Sequence, residues 1–116
     1  METGFPSPAQ GYEEKSLDLN SLFIKKPSST YLMEMSGRAL EGVGIFDRDL
    51  LIVDRSLKPK PNSVVIAEFQ GEFVCRVFKK GLGGVYRLQG QGVSPIEMDE
   101  NVHIIAVVPF SVRRHT

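Results

Sequence analysis

Residues 64–78 read VVIAEFQGEFVCRVF, two apolar runs on either side of a Gln70-Gly71 pair. The first run is continuously apolar over 64–67, which is typical of a strand buried on both faces. The second run alternates, with Phe73, Cys75 and Val77 on one face and Val74, Arg76 and Phe78 on the other. A glycine-containing pair between two such runs indicates a β-hairpin. The sequence therefore predicts two antiparallel strands joined at Gln70-Gly71.

Further strand-like segments lie on both sides of this hairpin. Their positions are 31–35, 50–53, 85–89 and 102–110. Lys79, Lys80 and the glycines that follow them are expected to open a loop, and one short helical turn is predicted over 17–22. Short strands separated by turn signals are typical of a β-dominated domain. The predicted fold class is therefore mainly β, with a single domain over residues 17–116.

The first sixteen residues, METGFPSPAQGYEEKS, differ from the rest in composition. They hold two prolines, two glycines and three glutamates, and they contain few apolar side chains. Proline fixes φ and lacks an N–H donor, so two prolines so close together disfavour regular structure. Residues 1–16 are therefore predicted to form a flexible N-terminal arm.

Charge and cysteine content restrict the kinds of function that the sequence allows. The 116 residues carry 14 Lys plus Arg and 14 Asp plus Glu, a formal net charge of zero. That balance argues against a general nucleic-acid-binding or membrane-surface protein. No apolar segment approaches the roughly 18 residues of a membrane-spanning helix. A single cysteine, Cys75, allows no internal disulfide and fits a reducing compartment, so the expected location is the cytoplasm.

Few residues suggest catalysis or metal binding. His103 and His115 have no carboxylate or thiol at metal-ligand spacing, so no metal or cofactor is expected. Cys75 alternates with apolar residues and is predicted to be a small buried side chain rather than a nucleophile. Asp47, Asp49 and Asp54 could suggest a metal site, but Asp-Arg-Asp before a strand is more often a turn. The residues alone favour a binding or interaction module over an enzyme.

Several motifs together resemble one family. The sequence reads YLMEMSGRAL at 31–40 and GIFDRDLLIVD at 44–54, and the likeness continues through VVIA at 64–67, GEF at 71–73 and SPI at 94–96. These blocks resemble the LexA/UmuD family of self-cleaving Ser–Lys peptidases, and the UmuD branch most closely. The resemblance covers nearly the whole chain. It implies a β-clip-like peptidase-type domain with one or two short helical turns and a flexible arm.

The resemblance also implies that the catalytic dyad is lost. Aligning the motifs places the family's nucleophilic serine at Ala39 and its lysine base at Arg76. Alanine has no nucleophile, and arginine remains protonated at any physiological pH, whereas a desolvated lysine can act as a base. The chain is therefore expected to be a degenerate homologue without peptidase activity. An alternative is a relocated dyad formed by Ser36 with Lys79 or Lys80.

The opening GFPSPA at 4–9 resembles the start of the processed form in the UmuD branch. Family members are cut before the glycine of this motif, which here is Gly4 and is preceded only by Met1, Glu2 and Thr3. Thr3 and Gly4 then mark the neighbourhood of the former cleavage site. The expectation is a chain encoded directly in the cleaved form.

By resemblance, the expected function is that of a non-catalytic accessory subunit of an error-prone Y-family translesion DNA polymerase in SOS mutagenesis. The implied partners are a second copy in a homodimer, a UmuC-like polymerase subunit, the RecA filament and an intact UmuD chain, without direct nucleic-acid contact. Ile66 and Phe73 match the family's dimer contacts, although Phe73 could equally belong to the core. The alternative is an inactive decoy that pairs with UmuD or with a repressor and regulates it.

Overall fold

The predicted hairpin lies inside a seven-stranded antiparallel sheet in the computed structural model, which describes residues 18–116. The strands are β1 (Thr30–Glu34), β2 (Leu50–Asp54), β3 (Val64–Phe69), β4 (Glu72–Lys80), β5 (Tyr86–Gln89), β6 (Ile96–Glu97) and β7 (Val102–Val112). Their order across the sheet is β1-β2-β7-β3-β4-β5-β6. The long strand β7 thus joins the β1–β2 pair to the β3–β4 hairpin, and the mainly β fold class is confirmed.

Apolar side chains pack on both faces of the central strands. Consecutive residues Val65 and Ile66 belong to different core clusters, as do Val77 and Phe78. Neighbouring residues of a strand point to opposite faces, so a continuously apolar run indicates burial on both sides. One cluster is built on Met35, Leu40, Leu51, Ile66, Cys75 and Val77, and the other on Val65, Ala67, Phe78, Leu88, Val102 and Val107.

The β3–β4 connection has the backbone that a two-residue hairpin requires. Gln70 has a φ of 52° and Gly71 a φ of 77°. Positive φ at both central positions defines a type I′ turn, whose twist matches that of the flanking strands. Phe69 pairs directly with Glu72 across this turn. The predicted hairpin is confirmed at Gln70-Gly71.

The only α-helix among residues 18–116 is the short α1 (Leu19–Phe23). Asp18 caps it, since one carboxylate oxygen accepts from the amides of Asn20 and Ser21. The predicted helical turn is therefore confirmed, one or two residues later than expected. This helix is too short and too polar to cross a membrane, and the described part of the chain has no other candidate.

One predicted strand end was wrong. Lys79 and Lys80 do not open a loop, because β4 continues through them and they pair with Arg87 and Tyr86 of β5. Pairing with β5 extends β4 beyond Phe78, where the apolar pattern of β4 ends. The short strand β6 was not predicted at all. The predicted arm, with Thr3 and Gly4, lies outside the described residues.

Candidate functional site

Ala39 lies in the loop after β1, and three contacts fix the path of that loop. Leu40 is almost fully buried beside it. The Ala39 carbonyl accepts a 2.7 Å hydrogen bond from the amide of Gln91. Gly37 has a φ of 91°, which glycine adopts without strain, and its amide donates to Asp47 Oδ1 at 2.7 Å. Ala39 therefore has a defined position beside the loop around Gln91.

Arg76 projects from the middle of β4, where it pairs with Val65 of β3. The side chain is partly buried, and Nη1 donates a 2.8 Å hydrogen bond to the Cys75 carbonyl. Its Nε is buried and has no hydrogen-bond partner. Within residues 18–116, no carboxylate lies at ion-pairing distance from this guanidinium. Arg76 is thus a partly buried cation without a counter-charge in this part of the chain.

Gly90 shows how close these two residues are. A Cβ atom at this glycine would lie 3.0 Å from Ala39 Cβ and 3.0 Å from Arg76 Cδ. Ala39 and Arg76 also line one surface cleft of about 440 Å³. We call it the Arg76 cleft; its walls are the 36–39 loop, Glu41, Arg76 and the 91–93 loop. The fold therefore brings the two aligned positions together. No sequence signal had pointed to Gly90 or Gln91.

The residues of the alternative dyad face different depressions. Ser36 lines the Arg76 cleft, whereas Lys79 lines a neighbouring depression of about 240 Å³ that Ser36 does not line. The Lys79 ammonium donates to Asn62 Oδ1 at 2.7 Å. Lys80 is exposed at the end of β4. This arrangement favours the aligned positions, Ala39 and Arg76, over Ser36 with a nearby lysine.

Asp49, just before β2, and Asp54, its last residue, hold turns. The Asp49 carboxylate accepts from the Phe46 amide at 2.8 Å and from Arg113 Nε and Nη2, both at 2.9 Å. Hydrogen bonding from Arg113 holds the pKa of Asp49 below its ordinary value. Hydrogen bonding from the Ser56 hydroxyl likewise lowers the pKa of Asp54. The turn interpretation is confirmed for Asp49, but the contribution of Arg113 was not predicted.

The other candidate residues have ordinary environments. Cys75 is 8% exposed, and burial raises its pKa to about 12, so the thiol stays protonated at neutral pH. This confirms its prediction as a small buried side chain. His103 is exposed on β7. Within residues 18–116, no three His, Cys, Asp or Glu side chains cluster closely enough to hold a metal ion.

The two predicted dimer residues lie together on one surface but differ in exposure. Phe73 is 62% exposed, whereas Ile66 is only 3% exposed. Both line an apolar groove of about 290 Å³ whose wall includes Tyr31 and Leu32, which are also exposed. We call it the Phe73 groove. The exposure of Phe73 argues against the core alternative, and Ile66 can reach a partner only as part of the groove floor.

The sequence is similar to a known protein family and to several curated proteins. A model of the family described as Peptidase S24-like matches residues 1–109. Protein ImpA of Salmonella typhimurium is 45% identical over 75 residues, which cover 65% of this chain and 52% of ImpA. Protein MucA of Escherichia coli is 43% identical over 76 residues, covering 66% of this chain and 52% of MucA.

A more distant relative aligns over more of the chain. The LexA repressor of Ectopseudomonas mendocina is 29% identical over 113 residues, covering 97% of this chain and 55% of the repressor. The chain thus spans about half the length of the curated relatives that it matches.

Proposed function

Because this chain belongs to the Peptidase S24-like family, we propose that it is a non-catalytic, UmuD-like accessory subunit of an error-prone Y-family polymerase in SOS mutagenesis. The observation that carries the proposal is the meeting of Ala39 and Arg76 at the Arg76 cleft. The family resemblance assigns the nucleophile and the base to these two positions. They are distant in sequence but adjacent in space, as the two members of a dyad must be.

The side chains at this cleft do not supply the chemistry of peptide cleavage. A methyl group at position 39 cannot attack a carbonyl carbon, and the Arg76 guanidinium cannot accept a proton at physiological pH. Loss of a nucleophile costs on the order of a millionfold in rate in the serine peptidase subtilisin. The chemistry of these two side chains supports the proposal that the protein acts by binding.

The proposed mechanism is recruitment. Two copies associate through the Phe73 groove, and the dimer binds a UmuC-like polymerase subunit in the cytoplasm, with the RecA filament and intact UmuD as further partners. The exposed Phe73 and the apolar lining of its groove support the association step.

Restoring the dyad tests the assignment of the degenerate site. The double variant Ala39→Ser with Arg76→Lys is expected to cut an intact UmuD arm supplied in trans, measured by gel mobility and mass spectrometry. Each single variant is the matched control, because a serine without a base or a lysine without a nucleophile completes only half of the dyad. If the folded double variant does not cleave, the assignment of these two positions is wrong.

The regulatory decoy is the second candidate function. The alignment with the LexA repressor over 97% of the chain favours it, since a repressor-like dimer surface could pair with a repressor. The two candidates differ in the protein that co-purifies. An accessory subunit is expected to co-purify with a polymerase, whereas a decoy is expected to co-purify only with a repressor or with intact UmuD.

A further inference from the structure

We propose that a basic surface formed by Lys60, Lys79 and Arg87 binds the phosphate backbone of duplex DNA. DNA binding goes beyond the proposed polymerase partnership and does not depend on it. Residues 55–63 and 77–96 contain six basic side chains and no acidic one, whereas eleven acidic side chains exceed seven basic ones in the rest of residues 18–116. The net charge of zero, which argued against nucleic-acid binding, therefore conceals a local excess of positive charge.

Hydrogen bonds hold the end of the β2–β3 connection against the end of β4. The Asn62 amide donates to the Phe78 carbonyl at 2.7 Å, and the Phe78 amide donates to the Ser63 carbonyl at 2.8 Å. Lys60 belongs to the same turn, because its carbonyl accepts from the Ser63 amide at 2.9 Å. The Lys79 ammonium donates to Asn62 Oδ1 at 2.7 Å. These contacts bring Lys60 and Lys79 to one surface although they are distant in sequence.

Strand pairing adds Arg87 to this surface. Lys79 of β4 lies directly opposite Arg87 of β5, so the two side chains share one face of the sheet. Like charges in this position destabilise a sheet. Glu97 of β6 pairs with Arg87 on its other side, but among residues 18–116 none of the three cations forms an ion pair with a carboxylate. Phosphate groups of a bound molecule would relieve the repulsion between Lys79 and Arg87.

Duplex DNA fits this surface better than a single strand does. Lys60 and Arg87 are exposed, so the surface is open to an extended polyanion. Phe78 and Tyr86 are the aromatic residues of these two segments, and they stack on each other in the core with ring centroids 4.6 Å apart. Neither ring is free to stack on unpaired bases, which is how proteins hold single strands. Contacts from lysine and arginine to phosphates therefore remain, and these are independent of base sequence.

Fluorescence anisotropy of a labelled DNA duplex, titrated with the full chain at several KCl concentrations, tests this proposal. The logarithm of the binding constant is expected to fall with the logarithm of the salt concentration with a slope of about −3 for each chain bound, since each neutralised phosphate contributes roughly −0.9. Two duplexes of different sequence are expected to bind equally. No binding to the duplex at about 50 mM KCl, or tighter binding to a single strand or to phosphatidylglycerol vesicles, overturns the proposal.

Matched variants separate the basic surface from general basicity. Lys60→Gln and Arg87→Gln are each expected to weaken binding and to reduce the magnitude of the salt slope by about one. Both side chains are exposed, so the variants should fold. Lys80→Gln is the matched control, because Lys80 follows Lys79 in sequence but points to the opposite face of β4. An unchanged slope in the Lys60 and Arg87 variants, or an equal reduction in Lys80→Gln, overturns the proposal.

Discussion

The Arg113–Asp49 pair ties the C-terminal end of the chain to the turn before β2. Arg113 also donates to the Gly44 carbonyl at 2.8 Å, and its guanidinium lies 4.1 Å from the centre of the Phe46 ring. Asp49 is only 3% exposed, so its charge depends on these hydrogen bonds. The local sequence predicted a self-contained turn. The pair was missed because its members are 64 residues apart and no short motif joins them.

Arg113→Ala is expected to lower the Tm by roughly 5 °C, because it removes two hydrogen bonds from a buried carboxylate. The control is Arg114→Ala, next in sequence but without the Asp49 contact, which should change the Tm little. Thermal unfolding followed by circular dichroism measures both. Equal Tm values for the two variants would contradict the role assigned to Arg113.

The stabilisation from Arg113 should also depend on pH. The pKa of Asp49 is lower in the folded state than its ordinary value of 3.8, so folding favours the ionised form. The contribution is complete above that ordinary value and is lost as the pH falls through the folded-state pKa. The difference in Tm between wild type and Arg113→Ala is therefore expected to shrink below about pH 4.

Among the elements, the central strands could be predicted directly from their apolar pattern, but several strand ends could not. Burial on both faces leaves a continuous apolar run, as in β2 and β3, which is visible without the fold. The extension of β4 through Lys79 and Lys80 depends on pairing with β5. It could not be predicted from the sequence, because the two lysines interrupt the apolar pattern. The two-residue β6 exists only because it pairs with β5. Proximity of Ala39 to Arg76 likewise depends on the tertiary fold.

The hairpin turn offers a test of an element. Gln70 has a φ of 52°, a conformation that asparagine adopts with less strain than glutamine does. Gln70→Asn is expected to raise the free energy of unfolding by about 0.5 kcal/mol, and Gly71→Ala to lower it by about 1 kcal/mol. Urea titration measures both variants. A destabilised Gln70→Asn would contradict the type I′ turn.

At the scale of the molecule, the Phe73 groove is an apolar surface that nothing within residues 18–116 covers. Apolar side chains there remain accessible in the single chain, including Phe73 at 62% and Leu32 at 66% exposure. A contiguous apolar patch is typical of a protein–protein interface. Our proposal assigns this surface to a second copy of the chain, in agreement with the position that the family resemblance gives to Phe73.

The unchanged chain is expected to be a dimer and the Phe73→Glu variant a monomer, because the substitution places a charge at two symmetry-related positions of the proposed interface. The folded chain should tolerate the change, since Phe73 is largely exposed. Leu82→Glu is the matched control: this residue is 99% exposed on the β4–β5 connection, outside the groove. Sedimentation velocity measures the mass of each variant. A Phe73→Glu protein that remains dimeric would place the interface elsewhere.

If this chain is a binding subunit of a polymerase, as we propose, the composition of its complex in cells will show it. Tagged protein is purified from DNA-damaged cells, and its partners are identified and counted by native mass spectrometry. We expect one Y-family polymerase subunit for every two copies of this chain. Complexes that contain only a repressor or intact UmuD, with no polymerase, would contradict the polymerase-subunit proposal and support the regulatory decoy.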